Sequence, residues 1–145
     1  MPLLNYTTSV EAAKTVAQIQ DILAKHGANS ILINYDDDGQ IKELSFQVNT
    51  SAGNISIRLP VIPDAVLRVM QQQKKIPRHY ANRTQAIRVA WRIVKDWVEA
   101  QMAILETEMV KLEQVFLPYV IISGGQTLFE HMVESRFQIT QGEQL

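Results

Sequence analysis

The apolar positions of this chain recur with a helical period, then with a period of two, then helically again. Ala12, Val16, Ile19 and Leu23 lie three or four residues apart, which predicts an amphipathic helix. Thr8, followed three residues later by Glu11, has capping-box spacing and is expected to open that helix. Gly27, just after Lys25 and His26, is expected to stop it. The period then becomes two. SILINY reads as a strand. Leu44, Phe46 and Val48 alternate with Ser45 and Gln47, and Ile55, Ile57 and Leu59 alternate with Ser56 and Arg58 before Pro60 closes the run. Asp38-Gly39 is a two-residue hairpin signal that asks for positive φ at both positions, and NTSAGN is the next turn. The pattern predicts a three-stranded antiparallel meander with one apolar face.

Helical spacing returns with VIPDAVLRVMQQQ, where Pro63 sits in the first turn. QQQKKIPRHYAN is polar and basic and reads as a mobile connection. Asn82 is placed to cap a long helix expected from Arg83 to Phe116, which Pro118 ends. YVII reads as a short strand, SGGQ as a turn and TLFEHMVESRF as a last short helix. The fold class is therefore α+β: an N-terminal helix, a three-stranded antiparallel meander, and a long C-terminal helix plus short helices. It is expected to form a single domain over 1–145, with a loosely held tail at 138–145.

The long helix raises the main question. At about 100° per residue, Ile87, Trp91, Val94, Val98, Met102, Leu105, Met109, Leu112 and Phe116 fall on one stripe. Ala86, Val89, Ala90, Ile93, Trp97 and Ile104 fall on a second flank. Either other helices of the chain cover that flank, or Trp97 meets another copy. The breadth of the arc favours the copy, so an oligomer is expected. The remaining face carries Arg88, Arg92 and Lys95 first, then Glu99, Glu106 and Glu113. That order opposes the helix dipole, which favours acids at the start and bases at the end. An antiparallel partner helix, an anion held at the basic end, and a plain solvated face all remain open.

Composition narrows the chemistry. The 145 residues carry a formal net charge of −1, so an anion site has to come from local clustering. With no cysteine there is no disulfide, thiolate zinc site or cysteine nucleophile, which suits the cytoplasm. MPLLNYTTSV lacks the basic start and apolar run of a signal peptide, and no apolar stretch approaches the ~18 residues of a membrane helix. NYDDDGQIKELS has part of a calcium-loop spacing, but Ser45 stands where a glutamate is needed, so it reads as a hairpin. His26, His79 and His131 have no metal-ligand spacing, and no nucleophile elbow or acid–base pair is recognisable. The chain is therefore expected not to be an enzyme and to need neither cofactor nor metal. Its candidate ligand contacts are arginines, whose fork matches phosphate: Arg58, Arg88 and Arg92, with Lys95 beside them. The amides around Gly124, Gly125 and Thr127 precede a helix start and could face an anion. Trp91 and Tyr119 could stack on a base or serve the core.

Several of these segments together resemble a known family. AKHGA closing the first helix, the YDDDG hairpin, the strand ending IRLP, VAWRIVKDWVEAQMAILETEM running into VFLPY, and TLFE near the end are similar to phage Thoeris anti-defence proteins of the first-described type. The resemblance spans residues 9 to 130, with AWRIVKDWVEAQM its most specific stretch, and QQQKKIPRHYANR stands outside it. The resemblance implies a cytoplasmic protein that binds and sequesters cyclic ADP-ribose-type signals made by host TIR-domain enzymes, without cleaving them. It implies a homo-oligomer, a dimer and possibly a hexamer, with ligand at subunit interfaces. Some members also hold cyclic oligonucleotides. No membrane or nucleic-acid partner is expected. The alternative reading is a structural or regulatory oligomeric phage protein that binds a protein or nucleic-acid partner through the Arg88–Lys95 surface.

Overall fold

The computed structural model describes residues 1–137; the tail expected to be loose lies outside them. It is α+β, with helix α1 (Ala12–Lys25), strands β1 (Ala28–Tyr35), β2 (Ile41–Thr50) and β3 (Gly53–Arg58), then helices α2 (Pro63–Gln72), α3 (Arg83–Glu106), α4 (Leu112–Phe116) and α5 (Leu128–Glu134). The sheet is antiparallel in the order β1-β2-β3. Its register pairs Ile31 with Phe46 and Phe46 with Ile57, so the alternating apolar residues share one face. Among the described residues, no helix is long and apolar enough to cross a membrane.

Several boundaries differ from the pattern. Helix α1 opens at Ala12, not at Thr8: the Thr8 hydroxyl accepts from the Val10 amide at 3.2 Å, and Glu11 becomes the N-cap without a side-chain bond. The first hairpin does not use positive φ at both Asp38 and Gly39; only Gly39 has it, at 80°. Asp36 instead organises the loop, accepting at its Oδ1 from the amides of Asp38 and Gln40, both at 2.9 Å. This is the three-residue loop in which glycine alone takes the left-handed position. The segment read as a mobile connection is packed: Ile76 is buried, and Tyr80 meets Tyr6 edge-on at 5.5 Å.

The long helix also stops early, at Glu106. The Thr107 hydroxyl bonds back to the Ile104 carbonyl, and Glu108 takes a left-handed φ of 61°. The Lys111 amide then donates to Gln114 Oε1 at 2.8 Å as α4 begins. Met109 consequently leaves the apolar stripe and is 69% exposed, while α4 folds back so that Phe116 is buried. A Thr hydroxyl that competes for the helix carbonyl and a residue able to hold positive φ suffice to break the pattern.

Both flanks of α3 are covered within the chain. On one side Trp91, Val94, Val98 and Met102 pack with Val16, Ile19 and Leu23 of α1 and with Leu44, Phe46 and Ile57 of the sheet. On the other, Ala86 and Val89 pack with Met70 and Ile76. Trp97, expected to face another copy, instead meets Phe116 at 5.6 Å and Tyr119 at 5.5 Å, edge-on to both. The breadth of the apolar arc is thus accounted for by two small cores, and it is not a reason for a partner.

Candidate functional site

The charged face of α3 is met by α1. Arg88 donates to Glu11 at 2.8 Å and to Gln85 at 3.2 Å. Arg92 donates to Gln18 at 2.6 Å and to Thr15 at 3.4 Å. Further along, His26 donates to Glu106 at 3.0 Å. Position advances along both helices together, so α1 lies parallel to α3. Glu11 at the N-cap of α1 meets the basic start of α3, and His26 at its C-cap meets the acidic end. These two contacts complement the reversed charge order of α3 within the chain, and an antiparallel helix from another chain is not needed. Lys95 is taken up by Glu99 at 3.2 Å and Asp96 at 3.8 Å. Arg88, Arg92 and Lys95 therefore stand close together, but Arg88 and Arg92 donate to α1 and Lys95 is paired within α3.

The His26 clamp carries its own pH dependence. Its Nε2–H donates to Glu106 and its Nδ1–H to the Ile22 carbonyl at 2.8 Å, two acceptors that only the doubly protonated ring can serve. The bond to Glu106, then that to Ile22, holds the imidazole pKa above its usual 6.5. A folded pKa above the unfolded one adds stability that is fully present below the unfolded value and is lost as pH rises through the folded one. Because Glu106 is largely exposed, the expected contribution is only a few tenths of a kcal/mol. Urea unfolding at pH values either side of neutrality should show the wild type gaining on the acid side relative to His26→Gln. Equal pH slopes in the two proteins would show that the clamp contributes nothing.

The aromatic candidates are core residues. Trp91 is fully buried, and its Nε1–H points at the Ile41 carbonyl at 3.4 Å. It offers no face for stacking, which corrects its place among the ligand contacts. Tyr119 is half-buried against Trp97. The glycine turn is also partly spent. The Gly125 amide donates to the Ile122 carbonyl at 3.2 Å, and the Thr127 amide to Glu130 Oε1 at 2.7 Å, while the Thr127 hydroxyl caps α5. Gly124 and Gly125 both take positive φ, as a tight turn requires.

Arg58 leads to a different surface. It sits on the sheet face opposite α3, in a row with Ser45 and Leu32 fixed by the strand register. Either side of that row lie Glu43 paired with Asn34, and Gln47 between Ser30 and Ser56. The side chains form a bonded polar layer: Asn34 to Glu43 at 2.7 Å, Ser30 to Gln47 at 3.2 Å and Gln47 to Ser56 at 3.1 Å. Arg58 donates to the Gly125 carbonyl at 2.7 Å and to Glu130 at 3.4 Å, and its Nε stands 3.4 Å from Glu43. It thereby ties the glycine turn and α5 to the sheet, so Arg58, Gly124, Gly125 and Thr127 do come together. They are separated from Arg88, Arg92 and Lys95 by the sheet and the core.

This face holds an open cleft of about 520 Å³, walled by Leu32 and Ile121 over a floor of Ser45, Gln47 and Ser56. A second concavity, about 300 Å³, lies at the start of α3 between Arg83, Arg88 and Asp36, but Arg83 is paired with Asp64 and Arg88 with Glu11. No family model, curated protein or solved structure matches the chain. The sheet-face cleft is chemically mixed. It presents one guanidinium, one carboxylate, and amide and hydroxyl groups that donate and accept, with two apolar walls. Asn34, Ser45, Gln47 and Ser56 were not singled out from the sequence. Their signal in the sequence is the polar residue at every second position of β2 and β3, and Ser30 and Asn34 either side of Leu32 in β1.

Proposed function

We propose that the chain is a binding protein that captures a cyclic ADP-ribose-type nucleotide without cleaving it, and that the open sheet face is where it does so. The observation that carries this reading is the pairing of Arg58 with Glu43 in a cleft of about 520 Å³, within the range of small-molecule sites. A nucleotide brings phosphate acceptors that compete with Gly125 and Glu130 for the guanidinium, and ribose hydroxyl donors for the carboxylate. It also brings a flat base to lie against Leu32 or Ile121, and base edges for Gln47 and Asn34. The polar layer is already bonded to itself, so its side chains are held in place before a ligand arrives, which lowers the ordering cost of binding. The ligand class comes from the family resemblance. Assembly as a homo-oligomer is proposed with it, through a surface other than Trp97.

Equilibrium dialysis against cyclic ADP-ribose tests the proposal. The expected result is saturable binding that changes little between about 50 and 200 mM salt. A phosphate-tracking nucleic-acid site would lose roughly 10³–10⁵ in affinity over that range. Absence of binding at millimolar ligand would overturn the proposal.

A further inference from the structure

Strand β1 forms one edge of the sheet, and among the described residues nothing pairs with its outer side. An open edge is a row of unpaired N–H and C=O groups, and proteins ordinarily blunt it with lysine, proline or charge. Ala28 to Tyr35 reads ANSILINY, without a charged residue or a proline, and its register irregularities fall at the two ends and leave Ser30 to Asn34 regular. Leu32, at its middle, is 60% exposed.

We infer that this edge pairs with the same edge of a second copy, antiparallel about a two-fold axis at Leu32. The inference rests on the self-association proposed above and names its surface. Its argument is the symmetry of the strand. The regular part of β1 runs from Ser30 to Asn34, with register shifts on both sides, between Ala28 and Ser30 and between Asn34 and Tyr35. Those five residues, S-I-L-I-N, read nearly the same in both directions about Leu32. Antiparallel self-pairing there sets Leu32 against its own copy and Ile31 against Ile33 on the core side. It also sets Ser30 against Asn34 on the open side, a hydroxyl opposite an amide. No like charges meet, and every residue faces one of its own chemical kind. An isologous interface requires such self-complementarity, and here it is centred on the exposed leucine of the strand. Ile31 and Ile33, half-buried at the margin of the core, become covered. The sheet becomes six-stranded, and the two open-face clefts join across the Leu32 pair into one trough with an Arg58 toward each end.

The cysteine-free chain makes the register directly readable. Residues facing across an antiparallel pair have Cα atoms about 4.5 or 5.5 Å apart, within disulfide reach. Two Ser30 residues in this register would be four residues out of line, about 13 Å apart. Three full-length variants are compared under mild oxidation: Leu32→Cys, Ser30→Cys and Asn34→Cys, all at positions where the side chain is not in the core. The expected result is a covalent dimer from Leu32→Cys alone, little from Ser30→Cys or Asn34→Cys alone, and a covalent dimer from the last two mixed. Sedimentation of the wild type is the companion measurement. A wild-type monomer at tens of micromolar would remove both the self-association and this surface. A wild-type oligomer whose Leu32→Cys variant stays uncrosslinked, or crosslinks no better than Ser30→Cys, would leave the self-association standing and overturn the β1 edge.

Discussion

Replacing Trp91 by alanine is expected to destabilise the protein by about 3–5 kcal/mol, the range for deleting a large buried aromatic. The indole has no exposed surface and lies in the core between α1, the sheet and α3. Its removal leaves a cavity that the core residues of α1 and the sheet cannot fill without the elements moving, and it also strips the Ile41 carbonyl of its indole N–H partner. Domains of this size are stable by roughly 5–15 kcal/mol in total, so the variant should unfold at markedly lower urea with an unchanged slope. Trp91→Phe keeps most of the volume and should lose less than half as much. A loss below about 1 kcal/mol for Trp91→Ala would place the residue on a surface and reopen the stacking role the sequence allowed it. Trp97 is the useful contrast. It is half-buried and packed edge-on against Phe116 and Tyr119, so Trp97→Glu should weaken the fold without changing the oligomeric state of the protein that remains folded.

Arg58→Ala is expected to reduce the proposed nucleotide capture by roughly 2–5 kcal/mol, a loss of about thirty-fold or more. The size follows from the chemistry of the site: truncating the guanidinium leaves a phosphate without a charge partner and Glu43 without a counter-ion. Arg58 also holds Gly125 and Glu130, so a second variant is needed to separate binding from docking of α5. Glu130→Gln removes the carboxylate charge but leaves the guanidinium in the cleft. Capture by Glu130→Gln should stay within about threefold of wild type, well under 1 kcal/mol. If Arg58→Ala and Glu130→Gln lose capture equally, Arg58 acts by positioning the C-terminal segment. If neither loses it, the ligand does not use this cleft.

The elements most visible in the sequence were those whose period and punctuation agree. Gly27 ends α1, the two-residue alternation gives β2 and β3, Pro63 starts α2, and Asn82 caps α3 through the Gln85 amide at 2.9 Å. The break after Glu106 was not visible, because the stripe continues in register through Met109 and Leu112 and Glu108 takes positive φ without being a glycine. The charge order of α3 could be read, but its cause could not. Its complement lies on α1, some seventy-seven positions earlier in the case of Glu11 and Arg88, and periodicity says nothing about which helices become neighbours. The same limit misdirected the site. Arg88 and Arg92 were conspicuous as a cluster because they stand one turn apart, yet that spacing serves the α1 contact. Arg58 stands out in the sequence only as a charged residue alternating with Ile55, Ile57 and Leu59, and only the sheet register shows what surrounds it.

A release assay separates capture from chemistry. The wild-type protein is incubated with cyclic ADP-ribose until free ligand falls, and the mixture is then heat-denatured and the supernatant analysed by mass. Intact ligand is expected to return in proportion to the amount bound. A hydrolysed product in the supernatant would make the protein an enzyme, and no fall in free ligand at the outset would mean that it does not bind this class of molecule; either result would overturn capture without cleavage.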